Sequence, residues 1–530
     1  MSDGVHPEAH VLIIITGGTI CMRRSEDGFV PAKGFLRSGL APRPSFNDGT
    51  YPEPLEIIID DNGTRKAVQS LRTPLSAYER RVRYCVQEFD PLLDSSSIDA
   101  VGWDLIAKAV YRNYKLFDGF VVLHGTDSLA YTCSALSFML QNLGKPVVLT
   151  GSQAPMMELQ NDATDNLLSS LVIAGHFMVP EVCLFFNFRL FRGNRATKVS
   201  ADDFGAFASP NHLPLAVISS LKTKVQWDLV HRPTSLDAFS IKTSLNTAYV
   251  ACLRIFPGIK PEMVDAVLRA EGLKGLILET FGAGNTPGGQ DSALTRVLAD
   301  AVKRGIVIVN VTQCLSGSVS PLYAPATVLG RAGVVFGHDM TSEAALTKLS
   351  YLLSLPDLSP ADVAKQMGVS LRGELTEVSQ THFQHPSSGT LTPELRSLSA
   401  LDYAVQKGDL QGVKEVMERE SRWLLNDGDY SGNTPLHIAC TSPNPEILRF
   451  FLSQGASVHI RNRAGNTPLF LAARAGQLEY VKLLREAGAH LHSEELSHAQ
   501  HHAMRAGDGK VGDDTERLRE AWNAAGGSVS

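Results

Sequence analysis

The feature that most constrains the fold is a short apolar run that recurs along the chain and ends each time in a polar, glycine-containing turn. Four such runs end in the turns that begin at Gly17, Gly125, Gly151 and Phe281. Short apolar runs that alternate with helical periodicity are typical of a parallel sheet covered by helices. The pattern continues from about Val11 to Gly368 and predicts an α/β fold for that part of the chain.

Strands are expected at the apolar runs themselves. The predicted strands are Val11–Ile15, Phe120–Leu123, Val147–Leu149, Val182–Phe186, Leu276–Leu278 and Ile306–Val309. Between the second and third of these, apolar residues recur at helical spacing from Leu129 to Leu140, and the sequence Gly144-Lys145-Pro146 ends the segment. A strand, a helix and a second strand in this order predict a βαβ unit.

Two breaks in the pattern divide the chain. Residues 209–247 are weakly patterned, and in Gly373–Thr392 Ser, Thr, Pro, His and Gly replace the apolar periodicity. We therefore predict two parallel-sheet α/β domains and an all-α domain. Their predicted bounds are 9–222 for the N-terminal α/β domain, 223–246 for a connector, 247–372 for the C-terminal α/β domain, 373–398 for a linker and 399–530 for the all-α domain.

The end of the chain repeats itself with a period of 33 residues, which aligns the Gly-Asn-Thr-Pro-Leu motif at 432–436 with the same motif at 465–469. A turn and a helix pair at that period resemble the ankyrin repeat. A degenerate unit from Leu401 and a truncated unit from about His501 bring the predicted number of units to four. Stacked repeats commonly bind another protein, so an unidentified protein partner is expected there.

Composition limits the other partners. The chain has 49 Lys and Arg against 55 Asp and Glu, a net charge of −6, so no basic excess favours nucleic-acid binding. The first apolar run is too short for a signal sequence or a membrane span, and the seven cysteines stand singly without a C-x-x-C pair. We expect a cytoplasmic protein with reduced thiols, no metal site, no cofactor and no membrane span.

The polar turns predict where a ligand binds. In an open α/β sheet, ligands lie beyond the carboxyl ends of the strands, so these turns can line one crevice. Paired glycines allow a backbone to approach a ligand, and an adjacent threonine offers a hydroxyl nucleophile. Taken alone, the Thr-Gly-Gly-Thr turn at 16–19 also fits a strand-to-helix turn with a threonine cap. It lacks the G-x-G-x-x-G pattern and the lysine of phosphate-binding loops.

The motifs in combination resemble one family. TGGTI at 16–20, HGTDS at 124–128 and the segment Phe191–Asn211 are similar to three landmarks of the L-asparaginase family. Five further segments resemble its cytosolic type I branch, namely FDPLLDSSSID, LTGSQAPM, ETFGAGN, NVTQCLSGSV and DMTSEAALTKLSYLL. The resemblance spans about Val11 to Leu375. It implies hydrolysis of L-asparagine to L-aspartate and ammonia through a β-acyl-enzyme, in a homo-oligomer that is a dimer or a tetramer.

The resemblance also implies roles for single residues. Thr19 is the implied nucleophile, and Thr126, Asp127 and Lys198 form a second catalytic group. Tyr323 matches a tyrosine that type I relatives bring toward the site. The implied substrate-binding residues are Asp94, Ser95, Thr126, Asp127, Ser152 and Asn285.

Several of these residues have a structural interpretation as well. Lys198 also fits a solvated surface lysine, Tyr323 a buried tyrosine with a paired hydroxyl, and Asp94 an Asx turn that caps the next helix. A threonine hydroxyl is barely ionised at neutral pH, so Thr19 needs a base or a hydroxyl relay. A carboxylate at Asp127 favours charged lysine and opposes its use as a base unless burial outweighs the pairing, a balance that the residues alone leave open.

Two positions depart from the family pattern. Phe29 stands where the family has a lid tyrosine, and phenylalanine has no hydroxyl to pass a proton. Glu279 stands where bacterial type I relatives use an arginine to bind asparagine as an effector. A carboxylate cannot reproduce the bidentate grip of arginine on another carboxylate, so activation of that kind is not expected.

Other functions fit these features less well. A lysophospholipase or related lipid esterase would be supported by a G-x-S-x-G elbow, and none occurs in the chain. A related amidotransferase subunit that deamidates Glu-tRNA shares these motifs, but binding of tRNA requires a basic surface, and this chain is acidic. A scaffold with a non-catalytic core is opposed by the presence of Thr19, Thr126, Asp127 and Lys198. The lipid esterase and the scaffold are kept as alternatives.

Overall fold

The computed structural model describes residues 7–26, 28–220, 222–233, 237–245, 247–287, 293–319, 324–376, 393–419, 422–429, 431–505 and 513–527. Tyr323 and residues 377–392 of the predicted linker lie outside them. The chain forms a large N-terminal α/β unit, a smaller α/β unit and a helical unit, which confirms the predicted fold class. None of the helices found in these ranges is long and apolar enough to cross a membrane.

The N-terminal unit contains most of the strands. In chain order they are β1 (Glu8–Gly17), β2 (Met22–Ser25), β3 (Gly28–Pro31), β4 (Leu55–Ile58), β5 (Arg65–Val68), β6 (Ser70–Arg72), β7 (Arg81–Leu93), β8 (Gly119–Leu123), β9 (Leu140–Gln141), β10 (Val147–Thr150), β11 (Val182–Phe186), β12 (Arg189–Arg192), β13 (Thr197–Lys198), β14 (Phe207–Ala208), β15 (Ala216–Ile218), β16 (Thr223–Val225) and β17 (Ser240–Ile241). Its α-helices are α1 (Ala100–Asn113), α2 (Leu129–Met139) and α3 (Ala163–His176).

In the described residues of this unit, nine strands form one sheet in the order β16-β15-β12-β11-β10-β8-β1-β7-β6. The inner strands from β11 to β7 are parallel, as predicted, whereas the edge strands β6, β12, β15 and β16 pair antiparallel. The sheet is therefore mixed rather than parallel. The direction changes at Asn187 and Phe188, whose positive φ angles of 47° and 61° form a tight hairpin turn after β11. Strand β16 lies within residues 223–246, the predicted connector, and extends this sheet.

The apolar run of β1 is buried because both faces of the sheet are covered. Leu12 and Ile14 pack into a core shared with α1 and α2, whereas Val11, Ile13 and Ile15 pack into a second core with α3. A central parallel strand needs apolar residues at successive positions for this reason, instead of the alternation of a half-exposed strand.

The second α/β unit is a four-stranded parallel sheet with helices. Its strands are β18 (Val250–Arg254), β19 (Gly275–Thr280), β20 (Val307–Thr312) and β21 (Val335–Phe336), and its helices are α4 (Pro261–Leu268), α5 (Ala293–Lys303), α6 (Ala324–Arg331), α7 (Ser342–Leu353) and α8 (Pro360–Met367). Helix α7 packs on α2 of the first unit, where the hydroxyls of Thr347 and Ser134 lie 2.6 Å apart. The two units therefore share one core.

The repeat unit is all-α. Its helices are α9 (Pro393–Lys407), α10 (Leu410–Arg419), α11 (Pro435–Ala439), α12 (Pro445–Ser453), α13 (Pro468–Arg474), α14 (Leu478–Glu486), α15 (Ser493–Arg505) and α16 (Asp513–Ala525). In the described residues these are four helix pairs, as predicted. The repeated Thr-Pro step starts a helix because the threonine caps it, as Thr467 does by accepting from Phe470 N at 3.2 Å, and proline fits the first turn.

Candidate active site

Two glycine turns meet beyond the carboxyl ends of β1 and β8. Gly18 has a φ of 88°, and a Cβ atom built on it would lie 2.4 Å from the backbone nitrogen of Gly125. The two backbones touch at a distance that only residues without a side chain permit. Because each glycine directly precedes a threonine, this contact brings Thr19 and Thr126 to the same place.

The loop after β7 closes against the same two turns. A Cβ atom on Gly17 would lie 2.1 Å from the Leu93 carbonyl oxygen, and one on Gly125 would lie 2.4 Å from Ser95 Oγ. Ser128 Oγ donates a hydrogen bond of 2.5 Å to the Ser95 carbonyl. A Cβ atom on Gly151 would likewise lie 2.4 Å from the carbonyl oxygen of residue 124, so three of the predicted turns and this loop meet at one crevice. The fourth turn, at Phe281, follows β19 of the other sheet.

Lys198 reaches this crevice from the short strand β13. Its Nζ donates to Thr126 Oγ1 and to Asp127 Oδ1, both at 2.9 Å. The side chain of Lys198 is 22% exposed, so it is not a solvated surface lysine, whereas that of Asp127 is 66% exposed. Thr126, Asp127 and Lys198 therefore form one connected group, and lysine is the hydrogen-bond donor in both contacts.

Gln153 belongs to this group and was not among the predicted site residues. Thr126 Oγ1 donates to Gln153 Oε1 at 3.2 Å, and Gln153 Nε2 is buried without a partner among the described residues. The turn that carries Gln153 is held by Asp162, whose carboxylate accepts from the backbone N–H of Gln153 and of Ala154 at 3.0–3.1 Å. The sequence signal was a glutamine that directly follows Ser152 in a polar turn after β10.

The half-buried Thr19 begins a 3₁₀ turn, Thr19–Cys21, and no hydrogen bond from its hydroxyl is found in the described residues. Cys21 is the neighbouring alternative nucleophile. Its Sγ donates to Gly18 O at 3.2 Å, and burial raises the pKa of its thiol to about 12. A thiol in that state is little ionised at neutral pH, which disfavours Cys21 as a nucleophile and leaves the nearby threonine hydroxyls as candidates.

His124 has a structural role beside the site. Burial lowers its pKa to about 4, so the ring is neutral at physiological pH. Its Nδ1 lies 2.7 Å from Gly125 O, and its Nε2 lies 3.0 Å from Thr132 Oγ1, which accepts from Trp103 Nε1 at 3.0 Å. This chain of hydrogen bonds fixes the Gly125 turn and leaves His124 without a free nitrogen for catalysis.

The other predicted site residues form no hydrogen bond with the group of Thr126, Asp127 and Lys198 in the described part of the chain. Asp94 is exposed. Its Oδ1 accepts from Ser96 N at 3.4 Å, which is the Asx-turn interpretation left open by the sequence, and its Oδ2 accepts from Ser96 Oγ at 2.8 Å. Ser152 is buried and donates to Ala154 O at 2.6 Å. Asn285 lies in the second unit, where its backbone pairs with Phe281 and its Oδ1 is buried without a partner in the described chain.

Glu279 and Phe29, the two positions that depart from the family pattern, each have contacts of their own. Glu279 is engaged by Arg254, whose Nε lies 3.1 Å from its Oε2, and by Ser342, whose hydroxyl donates to its Oε1 at 2.6 Å. Phe29 lies on β3 and is 44% exposed, with its ring 5.9 Å from the guanidinium of Arg24. Glu279 thus has a partner set of its own, and Phe29 contributes an apolar ring to a surface hairpin.

Comparisons with known proteins match this architecture. The family models "Asparaginase, N-terminal", "Glutaminase/Asparaginase C-terminal domain" and "Ankyrin repeats (3 copies)" match residues 10–231, 249–367 and 401–495. A mouse protein named 60 kDa lysophospholipase is 39% identical over 471 residues, which are 86% of this chain and 80% of that protein. An L-asparaginase of Dirofilaria immitis is 38% identical over 476 residues, 86% of this chain and 78% of its own.

A solved structure agrees with the core. L-asparaginase I of Vibrio cholerae matches with a TM-score of 0.58 at 39% identity, covering 70% of this chain and all of its own. The chain therefore belongs to the asparaginase family. Within that family it is a type I L-asparaginase enzyme whose α/β core is followed by ankyrin repeats.

Proposed function

We propose that this enzyme hydrolyses L-asparagine to L-aspartate and ammonia, with Thr19 as the nucleophile and a β-acyl-enzyme as the intermediate. The observation that carries the proposal is the contact between Gly18 and Gly125, which directly precede Thr19 and Thr126, together with the hydrogen bond from Lys198 to the Thr126 hydroxyl. Relatives that are L-asparaginases over most of their length support the substrate.

The chemistry needs a nucleophile and a path for its proton. The Thr19 oxygen forms a bond to the side-chain amide carbon, and the hydroxyl proton passes into the connected group of Thr126, Lys198 and Asp127. The C–N bond then breaks, and ammonia leaves with a proton supplied by that group. Water attacks the resulting ester in the second half-reaction, which releases L-aspartate and returns the proton to Thr19.

The α-amino-acid end of the substrate needs a negative partner for its ammonium group and a hydrogen-bond donor for its carboxylate. The exposed carboxylate of Asp127 can hold the α-ammonium, and the unpaired Gln153 Nε2 is a donor for a substrate oxygen. Asp94 and Ser95 are proposed to bind the same end from the loop after β7. We expect little glutaminase activity, because one extra methylene displaces the amide carbon by more than about 1 Å, which can cost roughly 100-fold in rate.

The test replaces each hydroxyl by a methyl group of nearly the same size. Thr19→Val and Thr126→Val should each abolish ammonia release from L-asparagine without changing the melting temperature by more than a few degrees. Thr441→Val is the matched control, since that hydroxyl donates to Ile438 O in the repeat unit and should be irrelevant to turnover.

Hydroxylamine provides a second measurement, because it intercepts a β-acyl-enzyme to give aspartyl β-hydroxamate. The wild-type enzyme should form the hydroxamate and the Thr19 variant should not. Full turnover in Thr19→Val would show that another group is the nucleophile. Absence of ammonia release by the purified wild-type chain would favour the scaffold alternative.

A lysophospholipase activity is the second candidate, because the mouse relative carries that name. If it resides in the same site, Thr19→Val should abolish both hydrolyses, whereas lysophospholipid hydrolysis that persists in the variant would indicate a separate esterase site. A dimeric or tetrameric assembly of the core, a protein partner on the repeats and a cytoplasmic location remain proposals. Sedimentation of the purified chain measures the first of them.

A further inference from the structure

A cavity of about 160 Å³ lies between the N-terminal unit and the repeats. The N-terminal unit contributes the start of β1, Arg80 before β7, and the end of α3 with Trp227, and the repeats contribute Asn426 and residues 459–461. Glu8 at this cavity and Gly17 at the active-site crevice are opposite ends of β1, whose ten residues span about 30 Å. The cavity is therefore separate from the proposed catalytic site.

Three buried polar atoms that line this cavity have no hydrogen-bond partner among the described residues. They are Nδ1 of His176, Nδ1 of His459 and Nδ2 of Asn426. The opposite atoms of two of these side chains are held in place, because His176 Nε2 lies 2.9 Å from Ser76 Oγ and Asn426 Oδ1 accepts from Ser457 N at 2.8 Å. Asn426 and His459 are only 6% and 2% exposed. Unpaired atoms on fixed, buried side chains are unfavourable unless a ligand or water meets them.

Arg80 is one of four charged residues that line the cavity, with Glu8, Asp118 and Arg461. It takes part in no ion pair among the described residues, and its Nη2 donates a long hydrogen bond of 3.5 Å to Arg461 O. Burial and the like charge of Arg461 lower the pKa of the Arg80 guanidinium. Arginine stays protonated in proteins, so Arg80 is a partly buried cation that forms no ion pair in the part of the chain that the structure describes.

The acidic groups near Arg80 are already engaged with other cations. Glu8 pairs with Arg72 at 2.7 Å, and Asp118 Oδ2 lies 3.9 Å from Arg461 Nη1. Neither carboxylate forms an ion pair with Arg80 among the described residues. Asp118 acts on its charge only from a distance, and an anion from outside the chain would pair with it directly.

The rest of the cavity wall is largely apolar. Ala9, Phe177, Met178, Trp227 and Ile460 line it. A cavity of about 150 Å³ accommodates a benzene-sized molecule, so this one has room for about one six-membered ring, with a charged substituent at its polar wall. A ligand that fits has one anionic end and an apolar body.

We propose that this cavity binds a small organic carboxylate, with its carboxylate against Arg80 and Asn426 Nδ2 and its apolar body against Trp227 and Phe177. Because the ligand contacts both the N-terminal unit and the repeats, binding stabilises their docked arrangement. The melting temperature of the full chain therefore rises with ligand concentration. The proposal does not depend on the reaction proposed for the active site, since its readout is binding.

The probe is benzoate, titrated calorimetrically into the full-length protein, with benzyl alcohol as the neutral analogue of similar shape. Benzoate should bind, benzyl alcohol should bind at least about tenfold more weakly, and Arg80→Gln should weaken benzoate binding by about tenfold or more. Asn426→Asp keeps the oxygen that accepts from Ser457 but replaces the donor by a negative charge, and should abolish binding. Arg65→Gln, which removes an exposed arginine paired with Glu56, should change nothing.

Three results would overturn the proposal. Equal affinity for benzyl alcohol would show an apolar or water-filled cavity without an anion site. Inorganic phosphate that competes with benzoate at equal affinity would show a general anion site rather than a carboxylate site. Unchanged benzoate affinity in Arg80→Gln would remove the guanidinium from the site. If the glutamine variant does not fold, Arg80→Met, which also removes the charge and keeps a side chain of similar length, gives the same test.

Discussion

Replacing Gly18 by alanine tests whether the backbone contact between two turns positions the active site. Gly18 has φ 88° and ψ 169°, a conformation essentially restricted to glycine that costs other residues about 1–3 kcal/mol. The new Cβ atom would also lie 2.4 Å from Gly125 N and 2.6 Å from Gly125 Cα. Carbon contacts are optimal at about 3.5–4.0 Å, so the two turns must separate by about 1 Å. A displacement of that size in a catalytic group can cost about 100-fold in rate.

Gly28→Ala is the matched control. Gly28 has a similar φ of 100°, but a Cβ atom on it would meet nothing within 4 Å. Both variants therefore carry backbone strain, and only Gly18→Ala separates Thr19 from Thr126. We expect both to unfold at lower urea concentration, and only Gly18→Ala to lose about 100-fold in kcat for L-asparagine.

The assays are ammonia release at saturating L-asparagine and equilibrium unfolding in urea. An equal fall of kcat in both variants would attribute the loss to strain and would refute the contact argument, as would wild-type kcat in a folded Gly18→Ala variant. If Gly18→Ala does not fold, Gly125→Ala tests instead the contact of the second turn with the loop after β7. Its added Cβ atom would lie 2.4 Å from Ser95 Oγ, a side-chain atom rather than backbone.

The remaining predictions concern lysines and the repeats. Lys198→Met should lower kcat for L-asparagine far more than it raises KM, whereas Asp127→Asn should impair both; an unchanged kcat in the lysine variant would remove Lys198 from the mechanism. Burial lowers the pKa of Lys145 from 10.5 to about 7, so the unfolded chain binds the extra proton between those values and stability rises with pH there. Between pH 7 and 9 this adds about 2 kcal/mol to the unfolding free energy of the wild type relative to Lys145→Met. Residues 1–388 should retain ammonia release but melt at a lower temperature, because Lys145 and Asp118 lose His490 and His492; wild-type stability would show that the docking contacts contribute nothing.

Local patterns were sufficient to predict the inner strands and the repeats. The run Val11–Ile15 is recognisable as a strand from the sequence because a strand buried on both faces needs apolar residues at every position. Strand β7, Arg81–Leu93, was missed because charged, polar and apolar residues alternate irregularly along it and its position depends on pairing with β1 and β6. The antiparallel edge was missed for a similar reason, since its hairpin turn uses Asn187 and Phe188 rather than glycine.

The site was predictable where residue chemistry and chain position coincide. Thr126, Asp127 and Lys198 were identified from motifs, and they do form one hydrogen-bonded group. Gln153 was missed because its role depends on contacts that no local pattern encodes: its turn is held by Asp162, nine residues further along. The docking of the repeats on the N-terminal unit was missed as well, because its contacts join residues that lie more than three hundred positions apart.

The same strands carry the proposed active site at one end and the repeat interface at the other. Asp118 directly precedes β8 and Lys145 lies two residues before β10, and each contacts a histidine of the repeats. Thr126 and Gln153 follow the opposite ends of these two strands. A strand of five residues such as β8 spans about 17 Å, and its buried neighbours on both faces leave it little freedom to shift. A ligand between the N-terminal unit and the repeats therefore cannot touch the substrate. We expect benzoate to raise the melting temperature of the full chain while leaving kcat unchanged, and a change in kcat would require a second arrangement of this sheet.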